Sequence, residues 1–158
     1  MTYKRVVIRE FGSPEVLQVI EEPLLPEPKP GEIRVRVRAT SACFTDTMIR
    51  KGVYPDVREK PPFSPGYDMV GVVDKLGEGT GKFKVGDRVC DLTVIGSYSE
   101  YLCVSEDKLV PVPESVDPIL VIEITRSDIQ WTQPRDLSID SISKLADSNC
   151  IRLSHSHS

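Results

Sequence analysis

The side chains able to do chemistry lie close together in the first half of the chain. Cys43, Thr45 and Asp46 fall within the string CFTD, Tyr54 follows in GVYP and Tyr67 in PGYD. A deprotonated thiol is a metal ligand or a nucleophile, whereas a protonated one is a small hydrophobe. Spacing leaves both readings of Cys43 open and favours the buried hydrophobe, since free cysteine is commonly interior. Tyr54 and Tyr67 sit in loops, where each either lines a pocket or packs its ring and hydrogen-bonds its hydroxyl. The remaining cysteines, Cys90, Cys103 and Cys150, form no CxxC pair with Cys43 or each other. Without a secretion signal, reduced thiols in a cytoplasmic protein are the expectation.

Two further patterns resemble sites and are read otherwise. The glycines of LGEGTGK are spaced Gly77-x-Gly79-x-Gly81, not GxGxxG, and the following FKVGDRV is not helical. A P-loop needs Ser or Thr after Gly-Lys, and Phe83 stands there. The cluster is therefore expected to be a turn. His155 and His157 lie in a Ser-rich end, SHSHS, with no spaced carboxylate or cysteine, and that end is read as a disordered tail.

The elements that must hold these residues are mostly short strands. Tyr3 to Arg9 and Val16 to Ile20 are β-rich, and a Pro-rich connection EEPLLPEPKPG follows. Residues 32–39 alternate, placing Ile33, Val35, Val37 and Ala39 on a buried face and Arg34, Arg36 and Arg38 on a solvated one. Cys43 to Lys51 loses that alternation and predicts a short helix carrying Met48 and Ile49, capped by Thr45 and ended by Gly52. Further strands are expected at 69–76, which reads as a buried strand, after the bend KVGDRV at 84–89, at 98–104 and at 108–112. Six or seven such strands suggest a compact β-barrel or sandwich.

Composition divides the chain near Pro118. All 10 glycines lie at or before Gly96, and Pro134 alone of the 13 prolines lies beyond Pro118. ILVIEI (119–124) reads as a strand or a helix start. Ile139, Ile142, Leu145 and Ala146 give a weak amphipathic helix pattern capped by Ser138. The chain is 158 residues long with 39% hydrophobic and 28% charged residues and a net charge of -4. That composition suits a soluble globular protein and argues against nucleic acid or an anionic membrane as partner. No apolar run is long enough to span a bilayer.

Six strings, in one order, carry a resemblance: PGEIRVRV from Pro30, ACFTD from Ala42, RKGVYP from Arg50, PGYDMVGVV from Pro65, VGDRV from Val85 and YSEY from Tyr98. Over about residues 1–118 the chain resembles the N-terminal GroES-like domain of the medium-chain dehydrogenases/reductases, nearest to the zinc-independent NADPH:quinone oxidoreductases. The resemblance implies a mainly β fold, a GroES-like partly open β-barrel with short helices, followed by an atypical tail over 119–158 that is partly helical or disordered. No Rossmann domain is expected.

The same resemblance assigns roles. Zinc members have a Cys at the position of Cys43 and a His in PGHE; here Tyr67 and Asp68 stand in that place, and only Asp91 to Gly96 replaces a four-Cys zinc lobe. Tyr is a poor zinc ligand, so no metal is expected. Cys43 and Asp46 are expected to floor a cleft. Thr45 matches a proton-relay hydroxyl, Tyr54 an aromatic pocket position, and Tyr67 faces the lost zinc position with its hydroxyl toward a substrate carbonyl. NADP(H) is implied for the full-length family, with a quinone or enone substrate, yet no cofactor-binding residue is identifiable on this chain. The resulting expectation is a substrate-side domain truncated before its cofactor domain and inactive alone. The alternatives are a non-catalytic module that forms homo-oligomers or regulates a longer relative, and a remnant of a zinc alcohol dehydrogenase.

Overall fold

A computed structural model of the chain describes residues 1–126. The expected pattern for 138–146, the SHSHS end and Cys150 lie outside the described residues.

Among the described residues seven strands, two α-helices and two single 3-10 turns form. β1 (Tyr3–Ile8) and β2 (Leu17–Glu22) make an antiparallel hairpin. β3 (Glu32–Ala39), β4 (Met69–Leu76), β5 (Arg88–Asp91), β6 (Tyr101–Ser105) and β7 (Val110–Pro111) make a second antiparallel sheet in the order β6-β3-β4-β5-β7. Single bridges Arg5↔Ser99 and Ile8↔Phe63 tie the hairpin to the rest. The outcome is the mainly β, partly open arrangement expected. α1 (Phe44–Arg50) fills the connection between β3 and β4, and α2 (Pro118–Arg126) follows β7. ILVIEI is thus helical.

Period-two patterning builds the core. Ile33 and Val35 of β3 meet Met69 and Val73 of β4, Val89 of β5 and Leu109 in one buried cluster. Val70 and Cys90 point to a second cluster with Val112, Val116 and, from α2, Val121 and Ile122. Burial of such side chains supplies the main drive to fold. The packing of α2 carries the buried unit past the composition break at Pro118.

Two local expectations change and a third gains a specific contact. Arg34 is not on a solvated face: it is buried, its Nε donates to Asp74 Oδ2 at 2.6 Å and its Nη1 to the Pro26 carbonyl at 3.0 Å. The Pro-rich connection provides this partner, so a charged side chain is buried because it is paired. Arg36 and Arg38 do remain exposed. Second, Thr45 is not the cap of α1. Cys43 is the N-cap residue, and Asp46 at the third helical position takes the Cys43 N–H at 2.9 Å, a capping-box arrangement. Gly52, with φ +73, does end the helix. Third, the glycine loop is a turn with a specific occupant. The N–H groups of Gly81 and Lys82 both donate to Glu106 Oε1 at 2.8 Å.

Candidate functional site

The two loops that flank α1 are fastened to each other. Ser41, just after β3, donates its N–H to Asp68 Oδ1 at 2.8 Å and its hydroxyl to Asp68 Oδ2 at 2.7 Å. Thr40 Oγ1 donates to the Asp68 carbonyl at 2.7 Å and lies 3.0 Å from Ser97 Oγ. Asp68 is only 2% exposed, so both carboxylate oxygens are engaged internally. This clasp fixes the start of the CFTD segment against the PGYD segment.

A second loop holds PGYD from below. Gly66 adopts φ +111, and a Cβ there would lie 2.5 Å from the Tyr98 nitrogen and against Ser97 Oγ. Only glycine fits, because the backbone of the next loop passes that close. Thr93 Oγ1 donates to the Gly66 carbonyl at 3.0 Å and the Val94 N–H to the Tyr67 carbonyl at 3.0 Å. Val94 does this at φ +66, a left-handed conformation that is an outlier for a β-branched residue. Strain of this kind concentrates where surrounding contacts over-determine the backbone.

Two groups of candidate residues result. In the first, Cys43 Sγ donates to Asp46 Oδ2 at 3.2 Å. Burial pushes the Cys43 thiol up, and the hydrogen-bonded Asp46 carboxylate adds to it. The thiolate needed for nucleophilic attack or metal ligation is therefore disfavoured. Asp46 is buried and its Oδ1 has no hydrogen-bond partner within reach. The Tyr98 phenol faces this carboxylate; burial first, then Asp46, raises its pKa. Thr45 is half-buried beside Cys43.

The second group is a pair of phenols. Tyr54 and Tyr67 place their hydroxyls 3.3 Å apart with rings edge-to-face, centroids 6.1 Å apart at 90°. Both rings pack on a cluster of Ile8, Ile49 and Phe63, together with Val57 and Ile95. Burial, then Tyr67, then Asp56 raises the Tyr54 pKa. Ile49 of α1 carries the second group, and Cys43 begins the same helix, so α1 is the common support. No hydrogen bond joins the two groups among the described residues. The neighbours in sequence of Cys43 and Tyr54, Phe44 and Val53, are apolar and exposed, at 78% and 61%.

Burial pushes up the Cys43 thiol and the Tyr54 and Tyr98 phenols, so these three keep their protons at neutral pH. The arrangement offers hydroxyl donors beside aromatic and aliphatic surface, which suits a flat carbonyl compound. It offers neither an activated nucleophile nor a metal-binding set. Cys43 donates a hydrogen bond to Asp46, Asp68 is tied to Ser41, and no group of three or more His, Cys, Asp or Glu side chains able to hold a metal lies among the described residues. A nucleotide pyrophosphate needs free backbone N–H groups at a helix N-terminus. The loop amides of Gly81 and Lys82 are already taken by Glu106, so this glycine loop does not offer them to a phosphate.

Tyr98, Asp56 and the Ser41–Asp68 clasp escaped sequence reasoning. Tyr98 lies in one of the six matched strings, yet nothing in its local spacing points back to Asp46. An open groove of about 520 Å³ runs beside it, walled by Val6, Val37, Ala39 and Tyr98 with Lys4 and Arg38 at its margin.

Comparison with known proteins follows the geometry. Residues 29–114 match the family described as alcohol dehydrogenase GroES-like domain. A quinone oxidoreductase of Rattus norvegicus is 35% identical over 117 residues, 72% of this chain and 35% of its own length. An alcohol dehydrogenase of Rhizobium meliloti is 47% identical over 89 residues, 56% of this chain and 25% of its own. The Escherichia coli quinone oxidoreductase solved in complex with NADPH superimposes with a TM-score of 0.68 at 33% identity, covering 74% of this chain and 35% of that one. The chain spans about a third of the length of the quinone oxidoreductases it matches.

Proposed function

Because the chain belongs to the medium-chain dehydrogenase/reductase superfamily through its alcohol dehydrogenase GroES-like domain, on the side of the quinone oxidoreductases, we propose that it is the substrate-side domain of an NADP(H)-dependent, zinc-independent reductase of quinones or enones. In this reading residues 1–118 form the substrate domain and 119–158 a divergent tail, in a cytoplasmic protein that is inactive by itself. The observation that supports it is the Tyr54–Tyr67 pair, hydroxyls 3.3 Å apart, in which Tyr67 stands where the resemblance puts a His in zinc members, while burial and the Asp46 carboxylate push the Cys43 thiol up. Cys43 and Asp46 floor the cleft, Thr45 adds a hydroxyl, Tyr54 offers a ring edge and Tyr67 a donor to the substrate oxygen. The cofactor supplies hydride when present in a complete enzyme; the side chains here bind and orient the acceptor.

Two measurements test this. Steady-state NADPH oxidation with 1,4-benzoquinone is expected to show no turnover by the purified chain, and turnover without a partner overturns the inactivity. Titration with a redox-inert quinone analogue is expected to move the NMR signals of Tyr54 and Tyr67. Signals that stay put overturn the substrate-side assignment, and one stoichiometric zinc in metal analysis replaces it with the zinc alcohol dehydrogenase reading.

One observation favours a second reading, a non-catalytic module that associates with itself or with a longer relative. Phe44, Val53 and Ile119 are 78%, 61% and 65% exposed. Apolar side chains presented this way promote association. Light scattering after size exclusion discriminates: a monomer at high concentration removes this reading.

A further inference from the structure

The segment that precedes β6 lies between two strands and is bonded to both. The Val6 N–H donates to the Tyr98 carbonyl at 2.8 Å, and the Glu100 N–H to the Lys4 carbonyl at 3.0 Å. On the other side the Val37 N–H donates to the Glu100 carbonyl at 2.9 Å. The open groove of about 520 Å³ runs along this segment, with Val6 and Val19 from the hairpin on one side and Val37 and Ala39 of β3 on the other. That volume is in the range of small-molecule sites. Val19 is 72% exposed, so apolar surface here faces water and gains by being covered. The backbone bonds hold both sides in place, and a ligand would order little chain on arrival.

The hydroxyl protons along the groove are already used. Thr40 Oγ1 donates to the Asp68 carbonyl, so its 3.0 Å contact with Ser97 Oγ takes the Ser97 proton. Ser99 Oγ donates to the Tyr101 carbonyl at 2.6 Å. Arg5 is committed as well: its Nε and Nη2 donate to Glu22 Oε1 at 2.8 and 2.6 Å, and its Nη1 to Ser64 Oγ at 3.3 Å. Glu100 Oε2 accepts the Lys4 N–H at 2.7 Å. The Lys4 ammonium on the β1 side and the Arg38 guanidinium on the β3 side remain, both exposed and in no ion pair among the described residues. Two uncommitted cations against the Glu100 carboxylate leave one surplus positive charge, in a chain whose net charge is -4.

We propose that this groove is a binding site for a small amphipathic monoanion, a carboxylate or sulfonate on an apolar body, whose body covers Val6, Val19, Val37, Ala39 and the Tyr98 ring and whose anionic group is held by Lys4 and Arg38. Apolar burial supplies the affinity, and the two cations supply the preference for negative charge. A cationic ligand meets two like charges, and a neutral polar one finds no free hydroxyl proton. Cys43, Tyr54 and Tyr67 do not line the groove, so this site stands apart from the reductase reading.

The test is fluorescence titration of the full chain with anilinonaphthalenesulfonate and with N-phenylnaphthylamine, the same apolar body without the sulfonate. The sulfonate is expected to bind saturably at one site per chain, about five- to tenfold tighter than the uncharged dye at low ionic strength, and to lose that advantage in high salt. Lys4→Gln and Arg38→Gln are each expected to weaken it about two- to fivefold and to leave the uncharged dye unaffected. Val19→Glu, which puts a like charge on the apolar wall, is expected to weaken it about tenfold. Lys84→Gln, equally exposed and outside the groove, is expected to keep wild-type affinity. All four substitutions change exposed side chains, and circular dichroism checks that the fold is kept. Equal affinity for the two dyes overturns the charge preference, as does a loss from Lys84→Gln matching that from Lys4→Gln. Absence of saturable binding overturns the site, as does saturable binding that Val19→Glu leaves unchanged.

Discussion

Asp91 ends β5 deep inside the barrel, 2% exposed, with Oδ2 lacking any hydrogen-bond partner. Burial pushes its carboxyl up from 3.8 to about 6, against a smaller opposing pull from the Lys108 charge and the Leu92 N–H. The folded state therefore prefers the protonated acid. Its contribution to stability is fully present below the unfolded value near 3.8 and is lost as pH rises through about 6. Above both values the folded protein carries a penalty of about 3 kcal/mol for holding this charge. Asp91→Asn removes the charge at nearly constant volume. The variant is expected to exceed the wild type by about 2–3 kcal/mol near neutral pH, the range allowing for the imperfect pairing of a buried amide. The advantage should shrink toward zero below about pH 4, where Asp91 is already neutral. Urea unfolding of both proteins at several pH values measures it, as a midpoint difference at common slope. An advantage that does not vary with pH, or a variant less stable at neutral pH, refutes the reasoning.

Other outcomes follow from the same structure. Gly66→Ala should destabilise the fold by about 3 kcal/mol or more, since backbone and side chain of the next loop occupy the new methyl group's space at φ +111; thermal unfolding reports it. Val94→Asn should raise stability by about 1 kcal/mol, because Asn tolerates the left-handed region at far lower cost than a β-branched residue. Asp74→Ala should cost about 2–3 kcal/mol by stranding the buried Arg34 guanidinium, more than an exposed ion pair is worth. In the native chain at mildly alkaline pH, Cys90 should resist iodoacetamide, being fully buried with its thiol pushed up to about 12, and mass spectrometry after peptide mapping shows whether it labels.

Much of this was legible from the sequence because period-two patterning is a strong signal. β3 falls where alternation placed it and β4 where an apolar run read as a buried strand, and their inward Ile33, Val35, Met69 and Val73 are in the core. Arg34 broke the pattern because its partners, Asp74 and the Pro26 carbonyl, come from other segments that local spacing does not bring near. The cap of α1 was misplaced by two residues because Cys is not a preferred capping residue; the acid at the third position was the better signal. The candidate residues were named singly, and their partners were hidden for the same reason as Arg34's. The Tyr54–Tyr67 contact spans 13 residues and the Ser41–Asp68 clasp 27, each closed only by the fold. Val94 gave no warning at all, since no glycine or asparagine marks its backbone conformation.

The Ser41–Asp68 clasp has a thermodynamic consequence for anything that binds between its loops. It closes a ring of chain around α1, and the entropy of bringing those ends together is met at folding, before a ligand arrives. Ligand binding then orders little backbone, so affinity should track direct contact and desolvation with little conformational toll. Calorimetry on such a site should show a heat-capacity change close to that of the apolar area the ligand covers, without the larger signature of a segment folding around its guest.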